Sequence, residues 1–179
     1  MTYSTHYSSP VGTLMLTSDG SNLTGLWRAG QKYFAATVTE PLTLSDNLPV
    51  LVAAKKWLDK YFDGQRPAIK DLPLAPAGGE FRQTVWRILR KIPHGKVTTY
   101  GDIAGQIASC LSRGAMSAQA VGGAVGHNPI SIIIPCHRVI GANGSLTGYA
   151  GGMKMKISLL TLEGTDMSRL FAPAKSTAP

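Results

Sequence analysis

Cysteine is nearly absent from this chain: its 179 residues hold two, Cys110 and Cys136. Two thiols allow one disulfide at most, and without paired C-x-x-C spacing they cannot close a structural zinc site. The spacing of Cys110, His127, Cys136 and His137 matches no standard zinc pattern, so no metal is expected. Acids are scarce as well, ten Asp/Glu against eighteen Lys/Arg. No apolar run reaches the about 18 residues of a membrane span. The opening MTYSTHYSSP has neither the basic nor the apolar region of a secretory signal. The expectation is a cytoplasmic protein with reduced thiols. At 44% hydrophobic residues the chain can pack a core, as one domain or two small ones.

The surplus of basic residues is uneven. Residues 1–79 hold seven Lys/Arg and six Asp/Glu, whereas residues 80–170 hold ten and four, a balance of +6. That is the electrostatic footprint of a polyanion binder. Charge alone leaves the matter open, because small basic domains need not bind nucleic acid.

Two apolar stretches around Ser18-Asp19-Gly20 predict an antiparallel hairpin. From Pro49 to Phe62, Leu51, Ala54, Leu58, Tyr61 and Phe62 recur at helical spacing, which predicts an amphipathic helix covering the sheet. LPLAPAGG, residues 72–79, is a connection rich in Pro, Ala and Gly. A basic amphipathic helix follows in EFRQTVWRILRKI, ending at Pro93-His94-Gly95. Two short helices, starting near Thr99 and Ser117 and joined by SCLSRGAM, suggest a helix-turn-helix. The second offers almost no side chains for reading base edges. Its small residues suit either a close approach to a minor groove or tight helix packing. The fold class is α/β (α+β): a small N-terminal sheet-plus-helix domain, residues 1–75, a mostly helical C-terminal domain, 76–170, and a disordered tail, 171–179.

Ile132, Ile133 and Ile134 predict a buried strand that Pro135 ends, leaving Cys136 where the strand emerges. Apolar surroundings alone would raise the thiol's pKa and leave it inert. His137, its neighbour, is a candidate base if an acid orients it. Among the acids after residue 79, Glu80, Asp102 and Asp166 read as helix-end groups, and Glu163 remains as the orienter. An isolated buried cysteine acting as a small hydrophobe is the rival reading.

NPISIIIPCHRVIG, followed by TGYAGG and LLTLEG and preceded by FRQTVWRIL and TTYGDIA, resembles the O6-alkylguanine-DNA alkyltransferases. The likeness spans about residues 80 to 164 with the blocks in order, and Asn-Pro before Pro-Cys-His-Arg is its most specific part. The resemblance implies single-turnover transfer of a methyl or alkyl group from guanine O6 in double-stranded DNA to Cys136, with no cofactor and a monomeric protein. His137 would take the thiol proton through a bound water, and Glu163 would fix the histidine tautomer. Asn128 would stabilise the turn before the active-site strand, and Tyr100 would donate to the flipped guanine. Backbone groups at Cys136, Val139 and Ala150 would hold the guanine edge, with Tyr149 and Pro129 walling the pocket. Arg138 and Lys156 are read as structural.

Gln119 stands where family members usually carry an arginine that fills the space of the extruded base. Glutamine brings neither charge nor a guanidinium plane, so weaker DNA binding or flipping is expected. Ala120, Val121 and Gly122 complete the expected DNA-binding segment. The SCLSRGAM connection is also longer than is usual in the family, and Arg113 within it is a candidate phosphate contact. Two other classes stay open: a non-catalytic module that binds alkylated DNA, and a cysteine hydrolase or redox enzyme using the Cys-His pair.

Overall fold

The computed structural model describes residues 1–111 and 116–174, which form two compact units. The first comprises Met1–Ala77 together with Pro129–Ile133, and the second Gly78–Asn128 and the chain from Ile134 onward. Seven residues expected in the C-terminal domain, 76, 77 and 129–133, therefore belong to the first unit. Arg113 and residues 175–179 lie outside the described residues.

The first unit is built on a four-stranded sheet in the order β3-β2-β1-β4. β1 (Thr2–Ser9), β2 (Gly12–Ser18) and β3 (Leu23–Arg28) are antiparallel neighbours, and β4 (Leu42–Leu44) runs parallel to β1. The β2–β3 hairpin turns where Asp19 Oδ1 accepts from the amides of Ser21 and Asn22, an Asx turn. Gly25 is required in β3, since a Cβ there would come within 2.0 Å of the Trp27 ring. The helix α1 spans Pro49–Phe62, with proline in its first turn where the missing N–H costs nothing. It packs on β1, β2 and β3 through a face that includes Leu51, Ala54, Leu58 and Tyr61. Phe62, placed on that face by its spacing, is only partly buried.

The tri-isoleucine segment is not a strand. Ile133 N–H donates to Ser131 O at 2.8 Å across Ile132, whose φ is +70°. That is a classic γ-turn, strained for any L residue and more so for a β-branched one. The isoleucines are buried as expected, but by a turn whose neighbours Ile130 and Ser131 join β3: Leu26 N–H donates to Pro129 O, and Ser131 N–H to Leu26 O. Burial satisfied the apolar pattern while the hydrogen bonds went elsewhere.

The second unit holds α2 (Glu80–Leu89), β5 (Thr98–Thr99), α3 (Tyr100–Leu111), α4 (Ala118–Gly126), β6 (Val139–Ile140) and α5 (Met153–Leu162). α2 buries Val85, Trp86 and Leu89, and the Trp86 indole N–H donates to Ala124 O at 2.9 Å, tying α2 to α4. Asp102 accepts from Thr99 N–H while Thr99 Oγ1 accepts from Asp102 N–H, a reciprocal cap at the start of α3. α3 carries on through Cys110 to Leu111, so part of the longer connection is helix. β5 and β6 pair in parallel, Thr98 with Val139 and Thr99 with Ile140, which fixes the start of α3 against the segment that follows Cys136. The expected tail begins as ordered chain: Phe171 bridges Ser145, and Leu146 N–H donates to Phe171 O.

Candidate active site

Pro135 (φ −81°, ψ 63°) makes an inverse γ-turn in which Cys136 N–H donates to Ile134 O at 2.8 Å. A single 3-10 turn, Cys136–Arg138, then carries three buried side chains in succession. Asn128 follows His127, the C-cap of α4, and is buried. Its Nδ2 donates to Ile134 O at 2.8 Å and to Cys136 Sγ at 3.1 Å. One amide thus closes the turn and supplies a hydrogen bond to the sulfur.

Burial pushes the Cys136 thiol up, while the Asn128 bond, the Lys156 charge and the N–H groups of Cys136 and His137 pull it down. Charge on the sulfur is therefore costly but supported on several sides.

His137 is fully buried, and its Nε2 lies 2.7 Å from Glu163 Oε1. Burial holds its pKa below the ordinary value against the pull of Glu163, so the ring is neutral near pH 7. A carboxylate can only accept, so Nε2 carries the proton and Nδ1 presents a lone pair. Nδ1 is buried and has no hydrogen-bond partner among the described residues. The Tyr149 ring meets the imidazole edge-on, 6.5 Å between centroids at 78°, and limits its rotation.

Glu163 caps α5 and is also buried. Burial raises its pKa, but hydrogen bonds from His137 and Arg138 together with their charges outweigh that and hold the carboxyl far below the usual range. Arg138 grips it with two bonds, Nε to Oε2 at 2.8 Å and Nη2 to Oε1 at 2.9 Å, and reaches Ile92 O with Nη1 at 2.6 Å. Gly95 N–H adds a bond at 3.2 Å. Gly95 has φ +75°, and a Cβ there would lie 2.8 Å from Glu163 O, so only glycine fits. Arg138, read from the sequence as structural, holds the carboxylate in place, and Gly95, read only as part of a helix stop, is the component not foreseen. For Arg138 the signal was available: a charged residue inside an apolar run is buried only with a partner.

Tyr100 opens α3 and donates its hydroxyl to Thr147 O at 3.1 Å and Gly148 O at 3.3 Å. Burial, then the Cys136 charge, push its pKa up, so it is a proton-bearing phenol. Gly122 of α4 lies beside its ring. Gln119 and Ala120 are exposed on the first turn of α4, and Ser117 Oγ accepts from both of their amides, at 3.2 and 3.4 Å. Val121 is wholly buried and Gly122 partly, so this segment presents Gln119 and Ala120 to solvent. Val139 and Tyr149 are buried in the second unit, with Ala150 partly exposed. Pro129 belongs to the first unit. No group of His, Cys, Asp or Glu suited to a metal ion is found among the described residues.

The arrangement defines a class: a protein with a buried, amide-bonded cysteine and an oriented neutral imidazole in one turn, in the same unit as a helical module with basic residues. Residues 80–165 match the 6-O-methylguanine DNA methyltransferase DNA binding domain, and residues 2–76 its ribonuclease-like domain. The chain is 40% identical over 161 residues to the methylated-DNA–protein-cysteine methyltransferase of Haemophilus influenzae, covering 90% of this chain and 86% of that one. It is 44% identical to that of Mycobacterium bovis, covering 88% and 92%. A crystal structure of Mycobacterium tuberculosis OGT in complex with DNA superposes with TM-score 0.79 at 42% identity, covering 96% of each chain. The chain belongs to the methylated-DNA–protein-cysteine methyltransferase family.

Proposed function

We propose that the chain repairs DNA by direct reversal, with Cys136 taking an alkyl group from O6 of guanine. Guanine O6 is enclosed in the paired stack, so the base must be extruded for a thiol to line up behind its alkyl carbon. His137 Nδ1 receives the thiol proton through a bridging water, and Glu163 holds the imidazole in the tautomer that leaves Nδ1 free to accept. The sulfur then forms a bond to the alkyl carbon as the carbon–O6 bond breaks, and its electron pair passes to the guanine ring. Tyr100, turned from its present acceptors, donates to the ring as charge develops there. The products are unmodified guanine and a cysteine thioether, so each molecule acts once.

The observation that carries this reading is two buried pairs at one turn, Asn128 bonded to the Cys136 sulfur and His137 bonded to Glu163, with Nδ1 of His137 unpaired among the described residues. Val139 and Ala150 backbone groups, Tyr149 and Pro129 are assigned to the base, and Gln119, Ala120 and Gly122 to the DNA. Arg113 is assigned a phosphate. The surplus of +6 between residues 80 and 170 favours the polyanion. Among the described residues no helix is long and apolar enough to cross a membrane; we place the protein in the cytoplasm, as a monomer. A non-catalytic DNA-binding module would need none of this machinery around its sulfur. Counting O6-methylguanine removed from a duplex tests the reading: one lesion per protein molecule supports it, and many or none opposes it.

A further inference from the structure

The buried lysine of α5 is unused in the reaction as set out above. Lys156 has no solvent exposure, and its ammonium donates to Val139 O at 2.6 Å and Thr147 O at 2.9 Å. None of the ion pairs among the described residues includes it. A cation sealed in with carbonyls alone is costly. Burial lowers its pKa to about 8, and the Cys136 charge acts to raise it. The interaction is mutual, since Lys156 lowers the pKa of Cys136. Glu163, the acid that follows α5, is already occupied by His137 and Arg138.

The second observation is a shared acceptor. Thr147 O takes both the Lys156 ammonium and the Tyr100 hydroxyl. Tyr100 must leave that carbonyl to reach a guanine, and a buried carbonyl left without a donor opposes the move. Lys156 keeps it satisfied.

We propose that Lys156 is a positioning residue for alkyl transfer: its ammonium is the counter-charge of the Cys136 thiolate, and its bond to Thr147 O releases Tyr100 toward the guanine. The Tyr100 half rests on the alkyl-transfer reading, whereas the thiolate half concerns the free protein. The other titratable or charged groups around the sulfur are Tyr100 on α3, His137 and Arg138 in its own turn, and Glu163 at the end of α5.

The test compares wild type with Lys156→Met, which removes charge and donor, and Lys156→Gln, which removes charge and keeps a donor. Carboxamidomethylation of Cys136 by iodoacetamide is followed against pH on the free protein. Peptide mass spectrometry separates Cys136 from the exposed Cys110. Both variants should react at least tenfold more slowly near pH 7.5, with the midpoint moved up; profiles that superpose on wild type overturn the counter-charge. In single-turnover methyl transfer from duplex O6-methylguanine, Lys156→Gln should retain several-fold more activity than Lys156→Met. Equal losses overturn the release of Tyr100. Failure of both variants to fold, judged by thermal melting, also counts against the proposal, since it would make Lys156 a structural group. If wild type itself transfers no methyl group, the alkyl-transfer reading fails while the iodoacetamide profiles still decide the counter-charge.

Discussion

His137 Nε2 donates to Glu163 Oε1 at 2.7 Å with both side chains fully buried, and Arg138 holds both oxygens of the same carboxylate. The carboxylate therefore has two duties, to orient an imidazole and to neutralise a buried cation, and they separate under mutation. Glu163→Gln removes the obligatory acceptor, so both imidazole tautomers become available. Methyl transfer should slow by about 10²–10⁴-fold, the range of a general base. The same change leaves Arg138 buried without its counter-charge, which costs about 3–5 kcal/mol. Single-turnover kinetics and urea unfolding check the two effects on one protein.

Acid should destabilise the protein in two stages. His137 has a folded pKa below its unfolded value near 6.5, and Glu163 one far below its unfolded value near 4.3. For each group the unfolded chain binds the proton first as pH falls, so stability rises with pH and is lost on acidification. The first loss begins below about pH 6.5 and the second below about pH 4.3. Unfolding free energy measured from pH 8 to 2 should show both, and His137→Gln should abolish the upper one.

Alkali should act in the opposite sense through Lys156. Its folded pKa of about 8 lies below the unfolded value near 10.4, so the unfolded chain holds the extra proton between them. Stability from this group rises with pH across that window. The difference in unfolding free energy between wild type and Lys156→Met should therefore shift in favour of wild type from pH 8 to 10.

Gly95→Ala should cost about 1–3 kcal/mol, the penalty of a left-handed backbone combined with a clash. The substituted methyl would press on Glu163 O and displace the carboxylate that His137 needs. Thermal melting should fall and transfer should slow together, whereas Gly105→Ala, with nothing within 4 Å of the added carbon, should leave transfer unchanged.

Gln119 is exposed on the first turn of α4, where a longer cationic side chain meets no obstacle from the core. Gln119→Arg should tighten binding to duplex DNA and steepen its dependence on salt, because one more phosphate or base contact carries charge. Titration at two salt concentrations reads both.

The sequence foretold the α1 helix to the residue, because Pro49 and the apolar spacing to Tyr61 are local signals. The turn at Asp19 was equally legible. β1 was not: TYSTHYSS is polar, and it becomes a strand by pairing with β2 and β4, which no local pattern announces. The isoleucines misled for the reverse reason, since burial alone cannot tell a strand from a γ-turn whose hydrogen bonds run to β3. At the site, neighbouring positions suggested Cys136 and His137, and Glu163 came from eliminating other acids. Arg138 and Lys156 read only as structural residues, and Gly95 only as a helix stop, because their partners are carbonyls and a carboxylate 9 to 68 positions away in the chain.

The most direct measurement of the central claim is the mass of the protein after incubation with duplex DNA containing O6-methylguanine. The expected result is a gain of one methyl group, mapped to the Cys136 peptide and absent in Cys136→Ala, with the guanine restored. No gain despite tight binding, or a methyl group on Cys110 instead, would contradict it.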